Sequence, residues 1–339
     1  MTNPLTKMNQ NSKEMEIKLS EEEVDELIKS LPKTHWLGTN EYEIIKYQGF
    51  WCEESVIRNT IMCQSTFIAR DTDIFITSLP KTGTTWLKSL LYAVVNRNNT
   101  PITQSPLLDH NPHELVRGLE IDIFTSGPDQ VHQLSDPRLL STHLPYASLP
   151  QSLLSSKAKI LHITRNPSDM LVSQYHFTMT MKQKLNKDFK PPQFEHYFNE
   201  FCEGKCVFGP YFDNVLEYWN TSIDQPETVL FLKYEQLKTN PTLHLKKLAE
   251  FIGMPFSTQE ETDGLVDDII ELCSFKNIKD LEVNKSGAIF NNVIDNKSFF
   301  RKGEVGDWTN HFTPLMVEKM DQLMQDCLKD TSLSFDFLP

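Results

Sequence analysis

The sequence predicts an α/β protein, a single domain built on a central parallel β-sheet with helices on both faces. Three observations carry that expectation. Residues 73–78, 159–164 and 228–233 are short apolar runs with strand character, and each is followed by a loop and a stretch of helical periodicity. Strands that alternate with helices in this way form parallel sheets covered on both sides. No internal repeat, low-complexity tract or linker divides the 339 residues, and α/β folds of this length often form one domain. Hydrophobic residues make up 39% and charged residues 23%, which excludes a disordered or collagen-like chain and allows a sizeable core.

Taken in order, residues 1–20 have no periodic apolar pattern and are expected to form a mobile arm ahead of a domain spanning 21–339. The same stretch has no apolar segment before a small-residue cleavage site, so a cytoplasmic protein is expected. Ser20 followed by Glu23 has the form of a capping box, and Val24, Leu27 and Ile28 follow at helical spacing, predicting a short helix that ends near Pro32. The first strand, 73–78, leads into Pro80-Lys-Thr-Gly-Thr-Thr-Trp86 and an apolar helix to about Val95. The second, 159–164, leads into Arg165-Asn-Pro-Ser-Asp169, where Asn166 and Pro167 suit the N-cap and first turn of a helix running to about Thr178. The third, 228–233, leads into Tyr234-Glu-Gln-Leu237 and a helix over about 241–252. Residues 276–310 are rich in Asn, Lys, Gly and Asp with little helical periodicity, and predict a long C-terminal loop that could close as a lid.

Charge and composition exclude several classes of function. With 33 basic and 46 acidic residues the formal charge is −13, so the protein as a whole repels nucleic acid and anionic membranes. No apolar run approaches the roughly 20 residues of a membrane helix. The six cysteines are scattered as reduced thiols would be, and Cys202 and Cys206 have no second pair to complete a zinc site. His110 and His113 lack further ligands and read as loop polarity, and no metal is expected.

In parallel sheets ligands bind at the C-terminal ends of the strands, which gathers the three loops into one candidate site. Lys81-Thr-Gly-Thr-Thr85 lies between a strand and a helix, where free backbone N–H groups face an anion. Gly83 permits the turn, Lys81 supplies a charge, and the threonines supply hydroxyls. The spacing is not that of a Walker A loop, although the loop is P-loop-like in placement. Arg165 at the end of the second strand, with Ser173 eight residues on, suggests a second phosphate. Neither the second nor the third strand ends in a carboxylate that could position Mg²⁺, which argues against a kinase or NTPase.

These residues resemble the cytosolic, plant-type sulfotransferases, flavonol sulfotransferase-like, which move a sulfuryl group from 3′-phosphoadenosine 5′-phosphosulfate (PAPS) to an acceptor hydroxyl. The likeness rests on Pro80-Lys-Thr-Gly-Thr-Thr-Trp86, Ser141-Thr-His-Leu-Pro145, Arg165-Asn-Pro-x-Asp169 with Ser173-x-x-His176-Phe177, Tyr234-Glu-x-Leu237, Leu272-Cys-Ser-Phe275, Leu281-Glu-Val-Asn-Lys285, and Phe300-Arg-Lys-Gly303 before Asp307-Trp308. They occur in family order between about residues 48 and 312.

The resemblance implies that Lys81, Thr82, Gly83, Thr84, Thr85 and Trp86 hold the 5′-phosphosulfate, with Trp86 stacking on adenine. It implies that Arg165, Ser173, Arg301, Lys302 and Gly303 hold the 3′-phosphate, with Tyr234, Ser274 and Phe275 on the adenine side. His143 is implied as the general base and Lys81 as the group that stabilises charge on the leaving oxygen, in an in-line transfer without metal. Trp51 and Phe177 are candidates for the acceptor pocket. Flavonoids and other phenolics stand first as acceptors, ahead of steroids, hydroxyjasmonates and desulfoglucosinolates. Two departures from the family pattern are visible. Ser141 stands where animal members usually have a lysine, and in the places of the animal dimerisation segment Thr309 and Pro314 replace its Lys and Val while Thr313 and Glu318 match, which favours a monomer. The competing readings are a nucleotide-dependent phosphotransferase and a non-catalytic nucleotide-binding module.

Overall fold

The computed structural model describes residues 19–335. The expected mobile arm therefore lies outside the described residues except at its end, where Ser20 caps the helix Glu21–Ser30 through the reciprocal Ser20/Glu23 box. Next come three antiparallel strands, β1 (Lys33–Trp36), β2 (Thr39–Tyr47) and β3 (Phe50–Cys52), and the helix Glu54–Thr66. The central sheet comprises β4 (Ile74–Ser78), β5 (Arg117–Gly118), β6 (Leu139–Thr142), β7 (Lys159–Thr164) and β8 (Val229–Lys233). All are parallel, in the order β5-β6-β4-β7-β8.

The strand sequences explain this burial on two faces. Along β4 and β7 successive side chains alternate between two cores. Phe75 and Ile160 pack with Met170, Val215 and Ile57 on one face, while Ile76, Leu161 and Ile163 pack with Leu87, Leu245 and Ile269 on the other. A strand covered on both faces reads as a continuous apolar run, which is why β4, β7 and β8 stand out in the sequence. β5 and β6 do not, being short and lying beyond a long irregular segment.

The chain leaves β4 toward β6 and later returns to β7 on the other side, so the strand order reverses around β4. Such a switch point opens a crevice beyond the strand ends. At the opposite, N-terminal ends of the strands the sheet is fastened by a fully buried ion pair. Arg138 Nε and Nη2 donate to the two carboxylate oxygens of Asp73 at 2.7 and 2.5 Å, just before β6 and β4.

Two expectations need correction. The helix after Arg165 continues past Thr178 to Leu185. The segment 276–310 is not an extended loop throughout, for it contains the helices Phe275–Asp280 and Glu282–Lys285 and a ladder of Ala288–Ile289 with Ile294–Asp295. These elements are too short to impose a periodicity that can be read from sequence.

Removing one member of the buried pair leaves the other charge uncompensated. Arg138→Met is expected to cost about 3–5 kcal/mol in denaturant unfolding, and adding Asp73→Asn should recover part of that. A loss below about 1 kcal/mol for the single variant would contradict this role.

Candidate active site

The loop after β4 is held by backbone conformation and packing. Lys81 and Gly83 both have positive φ, 73° and 111°. Glycine is required at the second position, because a Cβ there would lie 2.7 Å from the Tyr234 ring. Thr84 opens the helix Thr84–Asn96, and its Oγ1 lies 2.7 Å from Ser78 Oγ. The first turn of a helix leaves N–H groups unpaired, and Thr84, Thr85 and Trp86 of this turn border the crevice. Lys81 Nζ donates to the Ser298 carbonyl at 3.3 Å and sits 4.3 Å from the Phe177 ring centroid. Burial, with Arg165 and Arg301 nearby, lowers its pKa to about 7.

His143 follows β6 directly. Its Nδ1 lies 2.6 Å from the Ser78 carbonyl oxygen, which can only accept, so the proton is on Nδ1 and the lone pair on Nε2. Glu120 holds the segment in place by accepting the His143 backbone N–H at 2.7 Å. Burial lowers the imidazole pKa to about 4, which keeps the ring neutral near pH 7.

Beyond β7, Asn166 caps the helix Pro167–Leu185 by accepting from the N–H of Ser168 at 2.9 Å. Asp169 in the first turn accepts from the N–H groups of Gly306 and Trp308 at 2.7 and 3.0 Å, which ties the C-terminal segment to the helix. Arg165 lies over the Tyr234 ring, 4.7 Å from its centroid, and donates to the Glu304 carbonyl. Asp307 receives both Arg301 and Lys302, at 2.6 and 2.5 Å. Burial alone would raise the Asp307 pKa, but these hydrogen bonds outweigh it and hold the group well below the usual carboxylate range. Tyr234 and Lys238 both donate to the Gly303 carbonyl. Gly303 must lack a side chain, since a Cβ would fall 2.6 Å from the Phe275 ring. Ser274 caps the helix that Phe275 begins.

These groups border one cavity of about 960 Å³. Lys81, Arg165, Arg301 and Lys302 crowd one end with Trp86, Tyr234, Ser173, Ser274 and Phe275. Ile121, Phe124, Phe208 and Val293 add apolar walls, as does Phe177 beside Lys81, and His143 also lines the cavity. The cationic end suits a nucleotide with phosphate at two positions. Arg165 Nε, Arg301 Nε and Trp86 Nε1 are buried donors without a hydrogen-bond partner, the residue pattern expected where a polar ligand supplies the acceptors.

Two sequence-predicted residues are not among those bordering the cavity. Thr82 is buried, with its hydroxyl directed at the carbonyls of Leu79 and Ile163, so it braces the loop from behind. Trp51 lies on β3, where its backbone pairs with the 207–209 segment, and Trp36 and Phe208 line the cavity instead. Ser141 Oγ is directed at the Arg117 carbonyl on the neighbouring strand.

His113 is a correction of the opposite kind. Far from being loop polarity, it is buried, lines the cavity, stacks on Phe299 at 4.2 Å, and contacts Thr85 and Lys88. One sequence signal pointed here. Lys88 shares a helical face with Thr84, Leu87 and Leu91, a charge on a stripe that should be apolar. Among the described residues, no three His, Cys, Asp or Glu side chains converge to hold a metal ion.

If Asp169 is the tie between the helix and the C-terminal segment, Asp169→Ala should speed hydrogen exchange at the amides of Gly306 and Trp308 by at least about tenfold. Unchanged protection there would show that other contacts hold the segment.

The model of the sulfotransferase domain matches residues 71–332. The chain is 44% identical to cytosolic sulfotransferase 5 of Arabidopsis thaliana, over 95% of this chain and 100% of that protein. It is 43% identical to flavonol 4'-sulfotransferase of Flaveria chlorifolia, over 92% and 97%. Among solved structures, it resembles a putative steroid sulphotransferase of Arabidopsis thaliana with a TM-score of 0.72 and 34% identity, covering 94% of this chain and 98% of that one. A mouse sulfotransferase, SULT7A1, complexed with PAP, superposes with a TM-score of 0.66 and 26% identity, covering 85% and 94%.

Proposed function

This chain belongs to the sulfotransferase family, and from that premise we propose that it transfers a sulfuryl group from PAPS to the hydroxyl of a small, mostly apolar acceptor, a flavonoid or other phenolic first. The observation that carries the reading is the pairing, in one cavity, of a cationic end having buried unpaired donors with apolar walls, and with a neutral histidine bordering the same space. The mouse relative was crystallised with PAP, which supports PAP as the product here. The flavonol enzymes among the relatives support the phenolic choice.

In this reading Arg165, Ser173, Arg301, Lys302 and the Gly303 turn hold the 3′-phosphate. Lys81 and the threonines at the start of the helix hold the 5′ end, with Thr82 acting through its backbone. Trp86, Tyr234 and Phe275 enclose the adenine, with Ser274 fixing Phe275 as the cap of its helix. When bound, the donor supplies a sulfuryl group joined through oxygen to a phosphate that leaves. His143 Nε2 takes the acceptor's hydroxyl proton as that oxygen bonds to sulfur. Lys81 donates to the oxygen that keeps the electron pair when the bond to sulfur breaks. An anionic donor beside the ring raises the basicity of His143 at the moment it is needed. Phe177 lies between Lys81 and the apolar wall and packs against the acceptor. No group in this scheme calls on a metal.

The replacements at Thr309 and Pro314 support a monomer, and here Thr313 caps the helix Pro314–Leu328. Relatives are named cytosolic, and no helix among the described residues is long and apolar enough to cross a membrane, in keeping with a cytoplasmic enzyme.

Titration calorimetry with 3′-phosphoadenosine 5′-phosphate (PAP) in EDTA, with ATP for comparison, tests the donor assignment. Preference for PAP by at least about tenfold is expected, and preference for ATP only with Mg²⁺ would overturn it. His143→Ala should lower turnover by about 10²- to 10⁴-fold with PAP affinity retained, and near-normal turnover would remove His143 from its role. Lys81 carries its charge below about pH 7 and loses it as pH rises through that value. PAP binding should therefore weaken from about pH 6 to about pH 8.5, with net proton uptake at the higher pH. Affinity that is flat across that range, without proton exchange, would place the charge of Lys81 outside the binding step.

A further inference from the structure

Behind the loop that follows β4 lies a second set of polar groups, separate from those assigned above. Lys88, only 1% exposed, rises from the helix Thr84–Asn96 among Leu87, Leu90 and Leu91. Its Nζ lies 3.0 Å from His113 Nδ1, and His113 Nε2 lies 2.9 Å from Thr85 Oγ1. His113 itself enters from the short helix Pro112–Leu115, whose N-cap, Asn111, is buried and bonded to Asn284. Stacking on Phe299 at 4.2 Å fixes the plane of its ring.

An ammonium can only donate, so Lys88 makes His113 Nδ1 an acceptor. The neutral ring then carries its proton on Nε2 and donates it to Thr85 Oγ1. The hydroxyl hydrogen of Thr85 is thereby turned away from His113, and Thr85 lines the cavity. With Lys88 uncharged, the chain could run in reverse, with the Thr85 hydroxyl donating to the ring and lost to a ligand. Burial lowers the Lys88 pKa to about 7, with Asp122 and Glu120 favouring the charged form against it, so the ammonium is the form present below about that pH. The groups whose charge bears on His113 are Lys88, His143 and Lys81.

We infer that Lys88 and His113 are positioning residues that fix the Thr85 hydroxyl as a hydrogen-bond donor toward the 5′ anionic end of the bound nucleotide. This rests on the donor assignment made above. The relay acts at one end of the nucleotide only. The hydrogen bonds and ring contacts of Lys88 and His113 run to each other, Thr85, Phe290 and Phe299, and none runs to Arg165, Ser173 or Gly303, where the 3′-phosphate is assigned.

That asymmetry supplies the test. Calorimetric affinities for PAP and for adenosine 3′-phosphate, which lacks the 5′ group, are compared in the full-length wild type, Lys88→Met and His113→Gln. Both variants should bind PAP about tenfold more weakly and bind adenosine 3′-phosphate as the wild type does. Retained adenosine 3′-phosphate binding also shows that the variant is folded, and if Lys88→Met does not fold, His113→Gln alone decides. Unchanged PAP affinity, or equal losses for both ligands, overturns the inference and leaves the donor assignment standing. A wild type that binds no PAP overturns both.

Discussion

Crowding of like charge around one cavity is the constraint on which this structure depends. Lys81, Arg165, Arg301 and Lys302 meet at one end of a cavity in a protein whose overall charge is −13. Left alone they would repel one another. The fold answers with oxygen atoms. The carbonyls of Ser298 and Glu304 and the carboxylates of Asp169 and Asp307 each engage one or more of the cations or the segment that bears them. Most of these oxygens belong to residues 298–307, so the C-terminal segment is less an appendage over the site than the source of the partners that let the site exist.

The sheet decides where that cluster can form. Reversal of strand order at β4 brings the ends of β6, β4 and β7 side by side, and with them His143, the Lys81 loop and Arg165. Because β4 is central and buried throughout, the loop after it is anchored on rigid elements, and Ser78 at its last position orients both Thr84 and His143. One strand end thus orients both the first turn of the helix after the Lys81 loop and the His143 ring.

What could be read in the sequence was what is encoded locally. The runs of β4, β7 and β8, the Ser20 cap, the glycine turn at Gly83 and the Asn166-Pro167 helix start each express themselves within a few residues. The site residues in recognisable segments, His143 and Arg165 among them, fell together as expected. Groups made functional by distant partners were hidden. Asp169 acts through amides 137 and 139 residues away, and His113 through Lys88 on another helix, 25 residues before it. Trp51 and Thr82 stand apart from the cavity lining for the related reason that sequence names a residue on a strand or loop without showing which way its side chain faces.

The resting place of Lys81 has a consequence for the barrier to reaction. Its ammonium lies against the rings of Phe177 and Phe299 with a single long bond to a peptide carbonyl. Two aromatic faces and a peptide oxygen thus stand in for part of the water around a free ammonium. In the proposed transfer, these fixed groups need little reorientation as charge develops on the leaving oxygen, which keeps the reorganisation energy at Lys81 small.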